Sequence, residues 1–345
     1  MNPVAELVAA RGAKAQLVVV RDGEVLVDNA FGCSPDVPFL LFSAGKPFVA
    51  VLVHLLAKRG LLGLDDPVAR HWPEFGRHGK ETVTIRQVLQ HRSGVPVARG
   101  IRRDALVAAN WPRSVRALER ARPRWPPGEV PAYHILSYGF VLGELVQRVT
   151  GKDLRDVLRT ELLDPLGLSR THLGTPASLW RDRVPVRARG MDGKIRQAVF
   201  NRRALRQAVI PAATMSSTAR DLARFYRMLV NGGELDGVRV LSPDTVAEAR
   251  RPSSDGETDR LLRLPIRWSQ AFQLGGPGPD PARPRPMGRT SGRNTFGHNG
   301  SNCCLGWADP DRGLVFAYLT NLLESGLEGA PHQCEVSDAV LAAYG

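Results

Sequence analysis

Phe39-Leu40-Leu41-Phe42-Ser43-Ala44-Gly45-Lys46-Pro47, followed by FVAVLVHLLAKRG over 48–60, joins a short apolar segment to a helix. The spacing of Val49, Val53 and Leu56 predicts that helix from Pro47 to Arg59, with Gly60 as its stop. Pro47 suits the first turn, where its missing N–H costs little. At a helix start, residues three apart share a face, so Ser43 and Lys46 point into one cleft. A serine hydroxyl is a weak nucleophile until a neighbouring base takes its proton. A lysine packed among apolar groups can lose its own proton and act as that base. The helix N-terminus favours the negative charge that develops on the serine and on its adduct. Ser-x-x-Lys also arises by chance, so the rest of the chain must decide.

Working outward, QLVVV (16–20) and EVLVD (24–28) read as strands around the turn signal Arg21-Asp22-Gly23. Near the other end, 295–299, 303–308 and 314–320 read as three strands, with turns before Ser301 and at Asp309-Pro310-Asp311, and a helix closes the chain at 333–344. Between about 61 and 200 the pattern is short helices cut by Pro and Gly, as at 84–91 and 138–151. An amphipathic helix follows at 219–231. Residues 251–294, rich in Pro, Gly and Arg, read as a long surface loop. The expected class is therefore α+β. Residues 1–60 and 200–345 form an antiparallel sheet flanked by helices, and 61–199 is an inserted all-helical domain.

Further motifs occur in order along the chain. They are Leu89-Gln90-His91-Arg92-Ser93-Gly94-Val95-Pro96, then Trp125-Pro126-Pro127-Gly128, then Tyr133-His134-Ile135-Leu136-Ser137-Tyr138-Gly139. Asp164-Pro165-Leu166-Gly167-Leu168 and Phe296-Gly297-His298-Asn299-Gly300 complete the set. Together with Ser43 and Lys46 they resemble the serine β-lactamase-like family from about residue 15 to 344. That family includes class C β-lactamases, penicillin-binding proteins, family VIII esterases and some natural-product acyltransferases. The resemblance implies a β-lactamase/transpeptidase-like fold, with Ser43 as nucleophile, Lys46 as its activator and Tyr133 as the phenol that exchanges protons with nucleophile and leaving group. It places His298-Asn299-Gly300 on the substrate-binding strand, where other members carry Lys-Thr-Gly or His-x-Gly. The backbone N–H groups of Ser43 and Ser301 would then form the oxyanion hole. His91 falls at a structural turn and is assigned to scaffolding. Asp65-Asp66 reads as a helix cap ahead of Pro67, because adjacent carboxylates on a helix point apart.

Three departures shape the expected substrate. Class C β-lactamases place asparagine two residues after the tyrosine, where this chain has Ile135 in the substrate-binding set. His298, mostly uncharged at neutral pH, is a weaker carboxylate anchor than lysine. Ser301-Asn302-Cys303-Cys304 stands where related esterases carry small glycines. The expected function is thus a serine acyl-enzyme hydrolase of a small-molecule ester or amide. The alternative passes the acyl group to an amine or alcohol acceptor. β-Lactamase or D,D-peptidase action ranks lower, and a non-catalytic binding module lowest, since all three reactive residues are present.

Composition narrows the field further. The chain has 345 residues, a length that suits two domains or one fold with a large insertion. Its net charge of +13 comes from 47 basic residues, only six of them lysine. The arginines are scattered, with no nucleic-acid-binding motif, so no nucleic-acid partner is expected. Cys33, Cys303, Cys304 and Cys334 lack metal-ligand spacing and read as reduced thiols, and neither metal nor cofactor is expected. No apolar run approaches the length of a membrane span, and the first residues do not resemble a signal peptide. The expected location is the cytoplasm, with no membrane partner.

Overall fold

The structure, a computed structural model, describes residues 3–190, 192–324 and 326–345. Six strands form one antiparallel sheet: β1 (Ala15–Arg21), β2 (Glu24–Phe31), β3 (Gln273–Leu274), β4 (Phe296–Gly300), β5 (Cys304–Asp309) and β6 (Leu314–Thr320). Their spatial order is β3-β4-β5-β6-β1-β2, so the N-terminal hairpin completes a sheet begun by the C-terminal strands. In the β1–β6 register Ala15 faces Thr320 and Arg21 faces Leu314. The β1–β2 turn has Asp22 and Gly23 at φ 49° and 86°, the two positive values a two-residue type I′ hairpin requires.

The unbroken apolar runs of β1, β5 and β6 follow from burial on both faces. Val18, Val20, Val315, Ala317 and Leu319 face the larger core. Their alternates Leu17, Val19, Leu314, Phe316 and Tyr318 face a smaller one. Helices α1 (Pro3–Ala9) and α5 (Gly326–Tyr344) cover that smaller side through Val4, Val8, Val336 and Val340. On the larger side lie α2 (Lys46–Lys58), α3 (Ser137–Thr150), which packs on α2, and α4 (Ala219–Val230), which packs on β1, β5 and β6. Thr218 caps α4 by accepting the Asp221 N–H at 3.2 Å, and α3 stops at Gly151 in the left-handed region. Gly306 in β5 lets α4 approach, because a Cβ there would lie 2.4 Å from the Tyr226 ring.

The expected helices and strands of the sheet region are present within a few residues of their predicted ends, except that α5 begins earlier, at Gly326. Two expectations need correction. The 251–294 stretch is not simply a surface loop, since Trp268, Ala271 and Phe272 are buried and Gln273–Leu274 adds edge strand β3 to the sheet. The driving term is apolar burial: these side chains are exceptions in a stretch otherwise too rich in Pro, Gly and Arg to show a period. Asp65 and Asp66 do not cap a helix with their side chains. Asp65 pairs with Arg86, while Asp66 accepts the Gly63 N–H at 2.8 Å and pairs with Arg70 and His71. Among the described residues no helix is long and apolar enough to cross a membrane, and no group of three His, Cys, Asp or Glu side chains could hold a metal ion. All four cysteines are free thiols.

Candidate active site

Ser43 sits in a single 3-10 turn, Phe42–Gly45, that runs directly into α2. Phe42 enters that turn at φ 51°, a left-handed conformation costly for an aromatic residue. Packing holds it there: the Phe42 ring meets Phe200 edge-on at 5.0 Å, and the Leu41 N–H is pinned to the Met215 carbonyl at 2.8 Å. The first N–H groups of such a turn have no intrahelical acceptor, and the Ser43 N–H is one of them.

Lys46 lies one turn on, as the spacing predicts, and is 1% exposed. Its Nζ is 3.0 Å from Ser43 Oγ, 2.9 Å from the Ile135 carbonyl and 3.3 Å from the Ala212 carbonyl. Burial without a carboxylate partner pushes its pKa well below the ordinary lysine value. A neutral amine has two N–H donors and one lone pair. In that form both N–H groups can stay on the carbonyls and leave the lone pair for the Ser43 hydroxyl. Ile135 therefore contributes through its main chain as well as through its side chain.

Tyr133 lies within electrostatic reach of the Ser43 side chain, and Lys46 Nζ stands 4.7 Å from the centre of its ring. Burial raises the phenol pKa far above normal, outweighing the opposing influence of Ser43, so the hydroxyl keeps its proton at neutral pH. The sequence-predicted serine, lysine and tyrosine thus converge.

His298 and Gly300 are buried in β4, and the half-buried Asn299 accepts from Gln273 Nε2 at 3.1 Å. His298 is 1% exposed, and burial lowers its pKa to about 3. A neutral, sealed imidazole whose Nδ1–H is committed to the Asn299 carbonyl at 2.7 Å offers no positive charge to a substrate carboxylate. Gly300 has a steric reason to be glycine: a Cβ there would stand 2.0 Å from the Leu41 carbonyl oxygen and 3.0 Å from the Ala44 nitrogen. The strand and the Ser43 turn are therefore in backbone contact. Beyond it Ser301 and Asn302 take φ 48° and 55°, turning the chain so that Ser301 and Ser43 line the same cavity. Cys304 donates to the Leu40 carbonyl at 3.2 Å and Cys303 to the Gly300 carbonyl at 3.3 Å, so both thiols brace this junction. Burial raises the Cys303 pKa well above normal, which makes it a poor nucleophile.

The cavity beside Ser43 has a volume of about 250 Å³ and a mainly apolar wall that includes Ile101, Ala108, Leu136, Phe200, Leu205 and Ile210. Ile135 and Ser301 also line it. His91 does not touch Ser43. Its Nδ1 accepts the His134 N–H at 3.2 Å, and its ring packs edge-on against Tyr133 at 4.9 Å, in keeping with a scaffolding role. Sequence reading missed Ala212, whose contribution is a carbonyl, and Trp268, which stacks on Tyr133 with centroids 5.2 Å apart and planes 5° from parallel.

A serine at the mouth of a mainly apolar cavity, with a buried lysine and a buried phenol beside it, fits a class: enzymes that carry an acyl group on serine. The family model described as Beta-lactamase matches residues 4–333, and the chain belongs to that family. It is 34% identical to the Esterase/beta-lactamase LipL of Mycobacterium tuberculosis, over 92% of this chain and 79% of that protein. A family VIII carboxylesterase of known structure superposes with a TM-score of 0.84 at 26% identity, covering 98% of this chain and 96% of the other. A penicillin-binding protein homologue from Caulobacter crescentus superposes at 0.82 with 28% identity, covering 99% and 96%.

Proposed function

We propose that the protein is an esterase that takes an apolar acyl group from a small-molecule ester onto Ser43 and releases it to water. The observation that carries this reading is the Lys46 Nζ–Ser43 Oγ contact of 3.0 Å, made by an amine that two carbonyls orient and whose pKa burial lowers. Lys46 accepts the Ser43 proton as Oγ bonds to the ester carbonyl carbon. The Ser43 and Ser301 N–H groups receive the oxyanion. As the C–O bond to the alcohol breaks, Tyr133 gives its proton to the leaving oxygen and regains one from Lys46. Water then attacks the acyl-enzyme, its proton passing through the same groups back to Ser43 Oγ. Esters are favoured over β-lactams, because the neutral, sealed His298 supplies no carboxylate anchor.

The test compares p-nitrophenyl esters of increasing chain length with a chromogenic cephalosporin, with and without added amines and alcohols. Efficient ester hydrolysis with weak cephalosporin turnover is the expected result. Preferential cephalosporin turnover would overturn it, and an acyl–amine product outpacing hydrolysis would move the enzyme to the acyltransferases. The cavity wall makes a second prediction. Ala108→Phe fills apolar space away from Ser43, so kcat/KM for a hexanoyl ester should fall roughly tenfold relative to the acetyl ester, the order expected from losing a methylene-sized subsite or two. Parallel losses on both esters would contradict an acyl chain in this cavity.

A further inference from the structure

The 251–294 segment carries two buried residues that the reaction above does not use. Trp268 and Asp259 are 1% and 0% exposed. The indole lies flat on the Tyr133 ring, and its Nε1–H donates to Asp259 Oδ2 at 3.1 Å. Asp259 Oδ1 accepts the Leu261 and Leu262 N–H groups at 2.9 and 2.8 Å, which fixes the carboxylate within the Thr258–Asp259/Leu264–Pro265 hairpin. The hairpin is tied in turn to the segment before Tyr133, where the Arg260 N–H meets the Pro131 carbonyl at 2.9 Å. Ser254 Oγ accepts the Trp268 N–H at 2.9 Å, and the His91 ring closes the corner 4.6 Å from the indole and 4.9 Å from the phenol.

From this geometry we infer that Asp259 and Trp268 form a positioning unit that holds the Tyr133 hydroxyl on Ser43, an inference that rests on the role given to Tyr133 above. Hairpin stability alone accounts for one carboxylate oxygen, since Oδ1 closes the local turn. It does not account for Oδ2, which reaches a side chain nine residues on. A buried carboxylate is costly to desolvate, and three N–H donors offset that cost only if the indole is part of the arrangement. Stacking alone needs no indole, because a phenyl ring would cover the same face. The N–H bond adds control of the indole plane. The phenol oxygen lies on the ring's own axis, so ring rotation leaves it in place. Tilting the ring about the Cα–Cβ bond moves it, and a parallel indole locked at its far edge opposes that tilt. The Asp259 charge also works against ionisation of Tyr133, which preserves the proton the leaving group needs.

The test uses the full-length enzyme, p-nitrophenyl acetate, and the variants Trp268→Ala, Trp268→Phe, Asp259→Leu, Tyr133→Phe and their pairs. Trp268→Ala should lower kcat by roughly 10²-fold, the scale of an ångström-sized misplacement, with KM nearly unchanged. Trp268→Phe should recover most of that loss. Asp259→Leu should cost several-fold in wild type and nothing further once Trp268 is phenylalanine, because its effect passes through the indole. Trp268→Phe should likewise have no effect on the residual rate of Tyr133→Phe. Wild-type kcat in Trp268→Ala, or the same fractional loss with and without the Tyr133 hydroxyl, would overturn the inference. If Trp268→Ala does not fold, the Trp268→Phe and Tyr133→Phe cycle decides alone. Full activity in Tyr133→Phe would instead remove Tyr133 from the mechanism, a failure distinguishable from loss of the positioning unit.

Discussion

Lys46→Met is expected to reduce kcat/KM for p-nitrophenyl acetate by roughly 10²–10⁴-fold, the usual contribution of a positioned general base, while leaving the fold intact. Methionine matches the shape of the lysine stem but offers no amine lone pair to Ser43. The pH dependence gives the prediction its sign. Only the neutral amine can accept the Ser43 proton, so the wild-type rate must fall as pH drops through the Lys46 pKa in the folded enzyme. Burial moves that pKa well below the ordinary 10.5, which carries activity to lower pH than a solvated lysine would allow. The acid limb should vanish from the residual rate of Lys46→Met. Stability should respond in a coupled way. Because the unfolded chain holds the Lys46 proton more tightly, wild type loses stability relative to Lys46→Met as pH falls from 10.5 to the folded pKa, and the difference is constant below it. Thermal melts of both proteins across that range check the sign, and an activity profile unchanged by the substitution would exclude Lys46 as the base.

Gly300→Ala should be among the most damaging changes outside the reactive residues themselves. The added Cβ would meet the Leu41 carbonyl oxygen at 2.0 Å and the Ala44 nitrogen at 3.0 Å. Both are backbone atoms at the Ser43 turn, so no rotamer change relieves the clash. Strand β4 and the Ser43 turn must separate, and the two N–H groups assigned to the oxyanion separate with them. A shift of about 1 Å is enough to cost on the order of 10²-fold in rate. Gly306→Ala is the matched control, because its Cβ would meet the Tyr226 ring at 2.4 Å, between sheet and α4. Both variants should melt earlier than wild type, but only Gly300→Ala should lose most of its kcat/KM at a temperature where both are folded. Equal rate losses would mean that general loosening, rather than this junction, sets the rate.

Much of this architecture was legible in the sequence because its signals are local. Asp22-Gly23 specifies its own hairpin, and the apolar runs of β1, β5 and β6 announce strands buried on both faces. The Ser43–Lys46 spacing needs only helical geometry, and the contact follows. The readings that failed depend on non-local packing. Pro and Gly punctuation made 251–294 look like surface, yet Trp268, Phe272 and Leu274 are drawn in by partners far along the chain, the indole by Tyr133 and the Gln273–Leu274 strand by β4. The carbonyls of Ile135 and Ala212 that orient Lys46 carry no side-chain signal, since every residue has one. The sequence did register Ile135 and His298 as departures from β-lactam recognition, and the sealed imidazole supplies the physical reason for the second.

The most direct test of the central claim is intact-protein and peptide mass spectrometry after exposure to a fluorophosphonate and, separately, to a p-nitrophenyl acyl ester. A single adduct is expected on the peptide containing Ser43, absent from Ser43→Ala and formed far more slowly in Lys46→Met. An adduct at another residue, or one that persists in Ser43→Ala, would contradict it.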